Sequence, residues 1–248
     1  MKKFFLMLLA GVMFIWSGSV LAYTIDDTVN VGKGTTHKSE SDPLSWPDYI
    51  GAHFDTKGID VNMTGSNIII TMYTNFDGLY TTYSGDNFYA ADLGLDLNLD
   101  GTYEYGVKLT HTGPNDGDYS AALYKDGTWE SSYDVWEGNT TANMEYGEFY
   151  PDDGNHKAWV KMEGGTEKGN VTINISSSPS GLWEWEWTLT IDKNLFDSGD
   201  LDNQMGIFWA TGTCANDVVE GAVVPIPTTI LLLSSGLLGF GLLSRRKN

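Results

Sequence analysis

The chain has 248 residues, with 33 Asp and Glu against 14 Lys and Arg, and a formal charge of −19. Such a surplus repels nucleic acid and anionic lipid, so a nucleic-acid partner is excluded and cations or neutral ligands are favoured. Cys214 is the only cysteine, so no disulfide can form within the chain and a hydrophobic core has to hold the fold.

Lys2 and Lys3 form a positive start, Phe4 to Trp16 an apolar run, and Val20-Leu21-Ala22 offers small or modest side chains to a signal peptidase. The apolar run is shorter than the roughly 20 residues a spanning helix needs. Residues 1–22 therefore read as a signal helix cleaved after Ala22, and the mature protein is expected to be exported. All 33 acidic residues lie between Tyr23 and Ala222 with nine of the 14 basic ones, so this body carries 9 − 33 = −24.

Within the body, Tyr23 to Asp42 reads as linker-like. Gly58 to Met63 and the β-branched run Asn67 to Thr74 read as a hairpin across Thr64-Gly65-Ser66. Ala91, Leu93, Leu95, Leu97 and Leu99 alternate with Asp92, Gly94, Asp96, Asn98 and Asp100, the period of a strand with one wet face. Asp100-Gly101 then predicts a type I′ turn into a strand from Thr102 to Leu109. Further strands are expected at Ser120 to Tyr124, Ala158 to Met162, Asn170 to Ile175 and Gly206 to Ala210. Between them, Trp183, Trp185, Trp187, Leu189 and Ile191 share one face of a strand and Glu184 and Glu186 the other. From Glu220 to the prolines the chain again reads as linker-like. Short strands with turn signals and no βαβ spacing predict one all-β domain over 23–222, a two-sheet antiparallel β-sandwich of jelly-roll-like form.

Two chemistries are open to this body. In "DLNLDGTYE", Asp96, Asn98 and Asp100 offer oxygens at alternate positions, Gly101 allows a sharp turn and Glu104 returns a carboxylate, the kind of hard donor set that Ca²⁺ takes. The twelfth position from Asp96 is Val107, so this is no EF-hand, and a plain hairpin with a solvated acidic edge explains the same residues. Trp46, Tyr49, Trp129, Tyr133 and Trp136 lie in polar, Gly-broken segments and are candidates to stack on an exopolysaccharide, the alternative being that they fill loop clusters or the interior. Catalysis is not expected. His37, His53, His111 and His156 show no metal-ligand spacing, no nucleophile elbow or P-loop is present, and carboxylate pairs such as Asp152-Asp153 are common in so acidic a chain.

From Val223 to Leu243 no residue is charged, and Arg245, Arg246 and Lys247 follow. This run is long enough to span a bilayer, and its flanking cations stay cytoplasmic, which leaves the body outside. Pro225 and Pro227 hold Val224-Pro225-Ile226-Pro227 extended just outside the membrane, a shape suited to a protease cleft. The segment 223–248, with "VPIP", "LLLSSGLLGFGLL" and "RRK", resembles the PEP-CTERM class of bacterial sorting signals, and more closely its VPLPA-type variant. It has no Pro-Glu-Pro, and Thr228 stands where the variant usually has Ala. The resemblance implies an exosortase, a membrane transpeptidase that cuts near the motif and passes the protein from the inner membrane to the cell surface or extracellular matrix.

The segments "IGAHFDTKGIDVNMTGSNIIITMYTNF", "AADLGLDLNLDGTYEYGVKL" and "GTCANDVVEG" together resemble exosortase-dependent surface proteins with a β-sandwich similar to family-nine carbohydrate-binding modules and DOMON-like domains. That resemblance implies a non-catalytic glycan-binding body. A structural matrix or coat component with no specific ligand is the competing expectation.

Overall fold

The computed structural model describes residues 21–26, 54–81, 87–131, 159–179, 183–201, 204–212 and 218–223. These form β1 (Leu21–Asp26), β2 (Thr56–Met63), β3 (Asn67–Thr74), β4 (Leu79–Thr81), β5 (Asn87–Tyr89), β6 (Leu93–Asp96), β7 (Tyr105–His111), β8 (Tyr119–Lys125), β9 (Thr128–Ser131), β10 (Trp159–Glu163), β11 (Thr166–Ser177), β12 (Trp185–Asp192), β13 (Met205–Ala210) and β14 (Val218–Val223). The only helical element among the described residues is a 3₁₀ turn at Lys193–Leu195, so the described chain is all-β. None of its helices is long and apolar enough to cross a membrane. The expected signal helix and the expected C-terminal helix, with the proline motif and basic tail, lie outside the described residues, apart from Leu21, Ala22 and Val223.

Ten strands make one antiparallel sheet in the order β1-β2-β3-β12-β11-β8-β7-β6-β13-β14. The long β11 joins its two halves. Thr172 to Ser177 pairs with β12, while Thr166 to Val171 pairs with β8 across a bulge between Glu167 and Gly169. Gly169 sits there at φ 148, and a Cβ on it would lie 2.7 Å from Leu195 Cδ2, so only glycine lets the strand turn from one half to the other. The edge strands β1 and β14 lie against each other, with Ile25 packed on Gly221.

The inward faces of both halves meet in one core. Ile59, Val61, Ile68, Ile70, Met72, Trp187, Leu189 and Ile191 come from the first half, and Leu93, Leu95, Tyr105, Val107, Leu123, Ile207 and Trp209 from the second. The indoles are satisfied inside it: Trp187 Nε1 donates to Phe76 O at 3.1 Å and Trp209 Nε1 to Ala91 O at 3.0 Å. A smaller second core lies on the outward side of the second half. There the β9–β10 pair covers Ala91, Tyr103, Phe208 and Ala210 with Val160 and Trp129.

Several expectations hold and several are corrected. Strand β3 matches Asn67–Thr74, its hairpin with β2 matches, and β8, β10, β11 and β13 fall where strands are predicted. Tyr23 to Asp26, expected as linker, is strand β1, because its Tyr23 and Ile25 pack against the core. The C-terminal linker expected from Glu220 is strand β14, which runs through the buried Val223, one residue beyond the predicted domain limit. The wet face expected from Asp92 to Asp100 fails at its start. Strand β6 spans only Leu93–Asp96, all four residues are buried, and so is Asp92, because β10 covers Asp92, Tyr103 covers Gly94 and the following loop closes around Asp96. Trp183 leaves the tryptophan row: it precedes β12 and packs, tilted, against Tyr73, which points away from the core.

Candidate functional site

The eight residues between β6 and β7 form an acidic loop, and its geometry departs from the predicted two-residue turn. In a type I′ turn Asp100 and Gly101 would both have positive φ. Instead Leu99 (φ 60) and Gly101 (φ 85) do, and the chain winds around the Asp96 carboxylate. Asp96 Oδ1 accepts the N–H groups of Asn98 at 3.2 Å and Leu99 at 2.7 Å, with Asp100 farther at 3.3 Å. Its Oδ2 accepts Gly101 N–H at 2.8 Å. One buried carboxylate thus gathers the loop's amides, which is why the alternating apolar period stops at Asp96 and the strand ends there.

The other acidic side chains close the same loop. Asn98 Oδ1 accepts Asp100 N–H at 2.8 Å, and Asp100 Oδ1 accepts Thr102 N–H at 2.8 Å. Those bonds to Thr102 hold the exposed Asp100 carboxyl below its ordinary value. Glu104 reaches back from the β7 side: its Oε2 accepts Leu97 N–H at 3.0 Å and its Oε1 accepts the Asn98 side-chain amide at 2.6 Å.

One oxygen each of Asp96, Asp100 and Glu104 lies within 4.8 Å of the others. Calcium takes oxygens at about 2.3–2.6 Å, so oxygens on opposite sides of one ion stand about 5 Å apart. The three carboxylates therefore fit a single Ca²⁺. Counted from Asp96, they and Asn98 fall at the first, third, fifth and ninth positions, with glycine at the sixth, the spacing of the first three-quarters of an EF-hand loop. Val107 ends that likeness at the twelfth position, since its side chain is buried in the core.

Asp92, which the sequence left as a wet-face residue, is the other organised carboxylate. Its oxygens accept Leu109 N–H at 2.7 Å and Met162 N–H at 2.8 Å, and its own N–H donates to Val160 O at 2.9 Å. It thereby ties the β9–β10 pair to β7. Burial pushes its carboxyl up to about 6, against the pull of those two amides and of Lys108 and Lys161. The only sequence signal for it was an Asp in phase with Gly94 and Asp96, which solvent exposure explains equally well.

Of the aromatics proposed for sugar contact, Trp46, Tyr49, Tyr133 and Trp136 lie outside the described residues. Trp129 is half-buried in the second core, with its Nε1 donating to Tyr103 O at 3.1 Å and its ring 6.0 Å from that of Tyr103. Its indole is engaged in packing. Of the histidines, only His111 is described, and its Nε2 lies 2.9 Å from Asn115 O between the rings of Tyr89 and Tyr119. Cys214, the proline motif Val224 to Pro227 and the basic residues 245–247 lie outside the described residues. So do the side chains at the signal-cleavage positions Val20 and Ala22.

Comparison of the chain with family models, with curated proteins and with solved structures yields no match.

Proposed function

We propose that the chain is an exported bacterial surface protein whose body is a non-catalytic, calcium-stabilised glycan-binding β-sandwich. A signal peptidase removes residues 1–22, and the C-terminal helix holds the protein in the inner membrane. An exosortase-like transpeptidase then cuts near Val224-Pro225-Ile226-Pro227, and the body passes to the cell surface or matrix. The sandwich is the curled ten-stranded sheet, bent at β11 and brought back so that β1 meets β14.

The observation that carries the calcium part is the loop from Asp96 to Glu104, where three carboxylates converge on one point of a body with a charge of −24. Asp96, Asp100 and Glu104 would hold the ion, with Asn98 beside them. What the ion supplies is cross-linking of the β6–β7 connection, since each carboxylate comes from a different part of the loop. The sorting part is supported by position: β14 ends at Val223 and the proline motif begins at the next residue, so a cut there would release the folded domain whole.

Two measurements test these parts separately. Calcium at a hundred times its Kd should raise the stability of the purified protein by about 2.7 kcal/mol, a chelator should remove that gain, and Asp100→Asn with Glu104→Gln should abolish it. Unfolding unchanged by calcium removes the metal from the proposal. Replacing Pro225 and Pro227 by Ala should leave the protein uncut in the inner membrane, read as intact mass of the membrane fraction. Normal release of that variant defeats the exosortase reading.

A further inference from the structure

Resting on the glycan reading, we infer that the sugar is held on the outward face of β2, β3 and β12, and that it is a neutral polysaccharide. The registers set this face out in rows. Thr24, Asp60, Thr71, Thr188 and Asn174 stand side by side across β1, β2, β3, β12 and β11, and Asn62 and Thr190 flank Ile69 in the next row. In a third row Tyr73 is paired with Glu186. Every one of these strands gives its alternate positions to the core, so the polar set is the sheet's other side and not a loop accident.

An aromatic surface stands at one end of these rows. The Trp183 ring lies 4.5 Å from that of Tyr73, and its Nε1 donates to Glu186 Oε1 at 3.2 Å, an acceptor that Ser178 Oγ shares at 3.3 Å. Tyr73 in turn donates its hydroxyl to Asp60 Oδ2 at 2.7 Å. The two rings are thus fixed by two carboxylates. A half-exposed indole fixed in this way presents an apolar face with a polar rim, the combination that receives the C–H face of a sugar ring while its hydroxyls reach the rim.

The rim is polar and open to a ligand: Asp60, Asn62, Thr71, Glu186 and Thr188 are all only partly buried, and their carboxylates, amide and hydroxyls can exchange hydrogen bonds with sugar hydroxyls. The charge on the rim decides the class of sugar. Burial, joined by the hydrogen bond and charge of Asp60 and the charge of Glu186, holds the Tyr73 phenol well above the usual value. A face that negative accepts hydroxyls and repels uronate or sulfate groups.

The test uses the mature full-length protein, with calcium constant, against soluble neutral polysaccharides (glucan, mannan, galactan, xylan) and a polyuronate. A neutral polymer should bind, and both Trp183→Ala and Glu186→Gln should weaken it about tenfold or more with the melting temperature kept. Glu186→Gln preserves the side-chain shape, so it stands as the test if Trp183→Ala fails to fold. Binding of a neutral polymer that Glu186→Gln leaves unchanged overturns this site while the glycan reading survives. Binding confined to the polyuronate overturns the assignment of sugar class, and no binding at all overturns the site and the glycan reading together.

Discussion

On β6, β7 and β13 the positions pointing away from the main core hold the buried Gly94, Asp96, Gly106, Gly206, Phe208 and Ala210, with the less buried Lys108 and Thr110 farther along β7. On β2, β3 and β12 the same positions hold Asp60, Asn62, Ile69, Thr71, Tyr73, Glu186, Thr188 and Thr190, none of them fully buried. Both sets of strands feed one core with their other side. The difference follows from what lies above them. The β9–β10 pair and Tyr103 dry the first face, so the residues beneath them are apolar or small enough to admit Met162, Trp129 and Tyr103, and the carboxylate under the pair, Asp92, is held by two amides. No buried apolar cluster among the described residues covers the second face, and polar side chains remain there. A strand's outward residues thus report the neighbouring layer, and a polar outward face on an otherwise ordinary strand is where a ligand can be sought.

The strongest way to break this contrast is to remove the tie between the dry face and its cover. Asp92→Ala leaves the Leu109 and Met162 N–H groups buried without an acceptor, at about 1–3 kcal/mol each. The expected loss is about 4 kcal/mol in urea unfolding, with the β9–β10 amides losing hydrogen-exchange protection first. A loss below about 1 kcal/mol would mean that the pair is held by the apolar contacts of Trp129 and Val160 alone.

The same carboxylate gives the contrast a pH dependence. Burial raises the folded value from 3.8 to about 6, so the native state binds the proton more tightly than the unfolded chain. That contribution is full below the unfolded value and is lost as pH rises through 6. The stability of the wild type relative to Asp92→Asn should therefore fall by about 2 kcal/mol between pH 4 and pH 7. A flat difference would show that the two amides cancel the cost of burial.

Much of the sheet was legible because its period is local. Asn67 to Thr74 alternates, Trp187, Leu189 and Ile191 share a face, and the unbroken "MGIFWA" of β13 reads as a strand buried on both sides. The errors came from distance along the chain. What dries Asp92 comes from residues 159–163, and nothing near β6 announces it, whereas Asp96 is enclosed by the loop that follows it. β1 looked like linker because its partner begins 30 residues later, at Thr56. In the acidic loop the ligand types were legible and the turn was not: an Asp-Gly pair signals a hairpin, and the Asp96 carboxylate, gathering four amides, outweighed it. Trp183 was assigned by extending the period of β12 past its end, where the period no longer applies.

The smallest effects sharpen the contrast most cleanly, because they compare one added or altered methyl group on each face. Gly106→Ala places a Cβ 2.8 Å from Met162 Sδ and 3.0 Å from Trp129 Cζ2, beneath the β9–β10 cover. Methionine can give way, so the cost should be about 1–2 kcal/mol. On the polar face, Thr71→Val exchanges a hydroxyl for a methyl at constant shape and keeps the β-branch that the strand favours. The hydroxyl's partner is Thr188 Oγ1 at 3.4 Å, a long contact that contributes little. Thr71 is half-buried, and water can serve Thr188 in its place. The expected change is within about 0.5 kcal/mol, as for surface positions generally. A gain above about 1 kcal/mol would mean that the face is dry in the folded protein, covered by some other part of the chain, and the polar rows would then be structure and no place for a ligand. A neutral result with weakened binding of the neutral polysaccharide would place Thr71 at the sugar without a structural role.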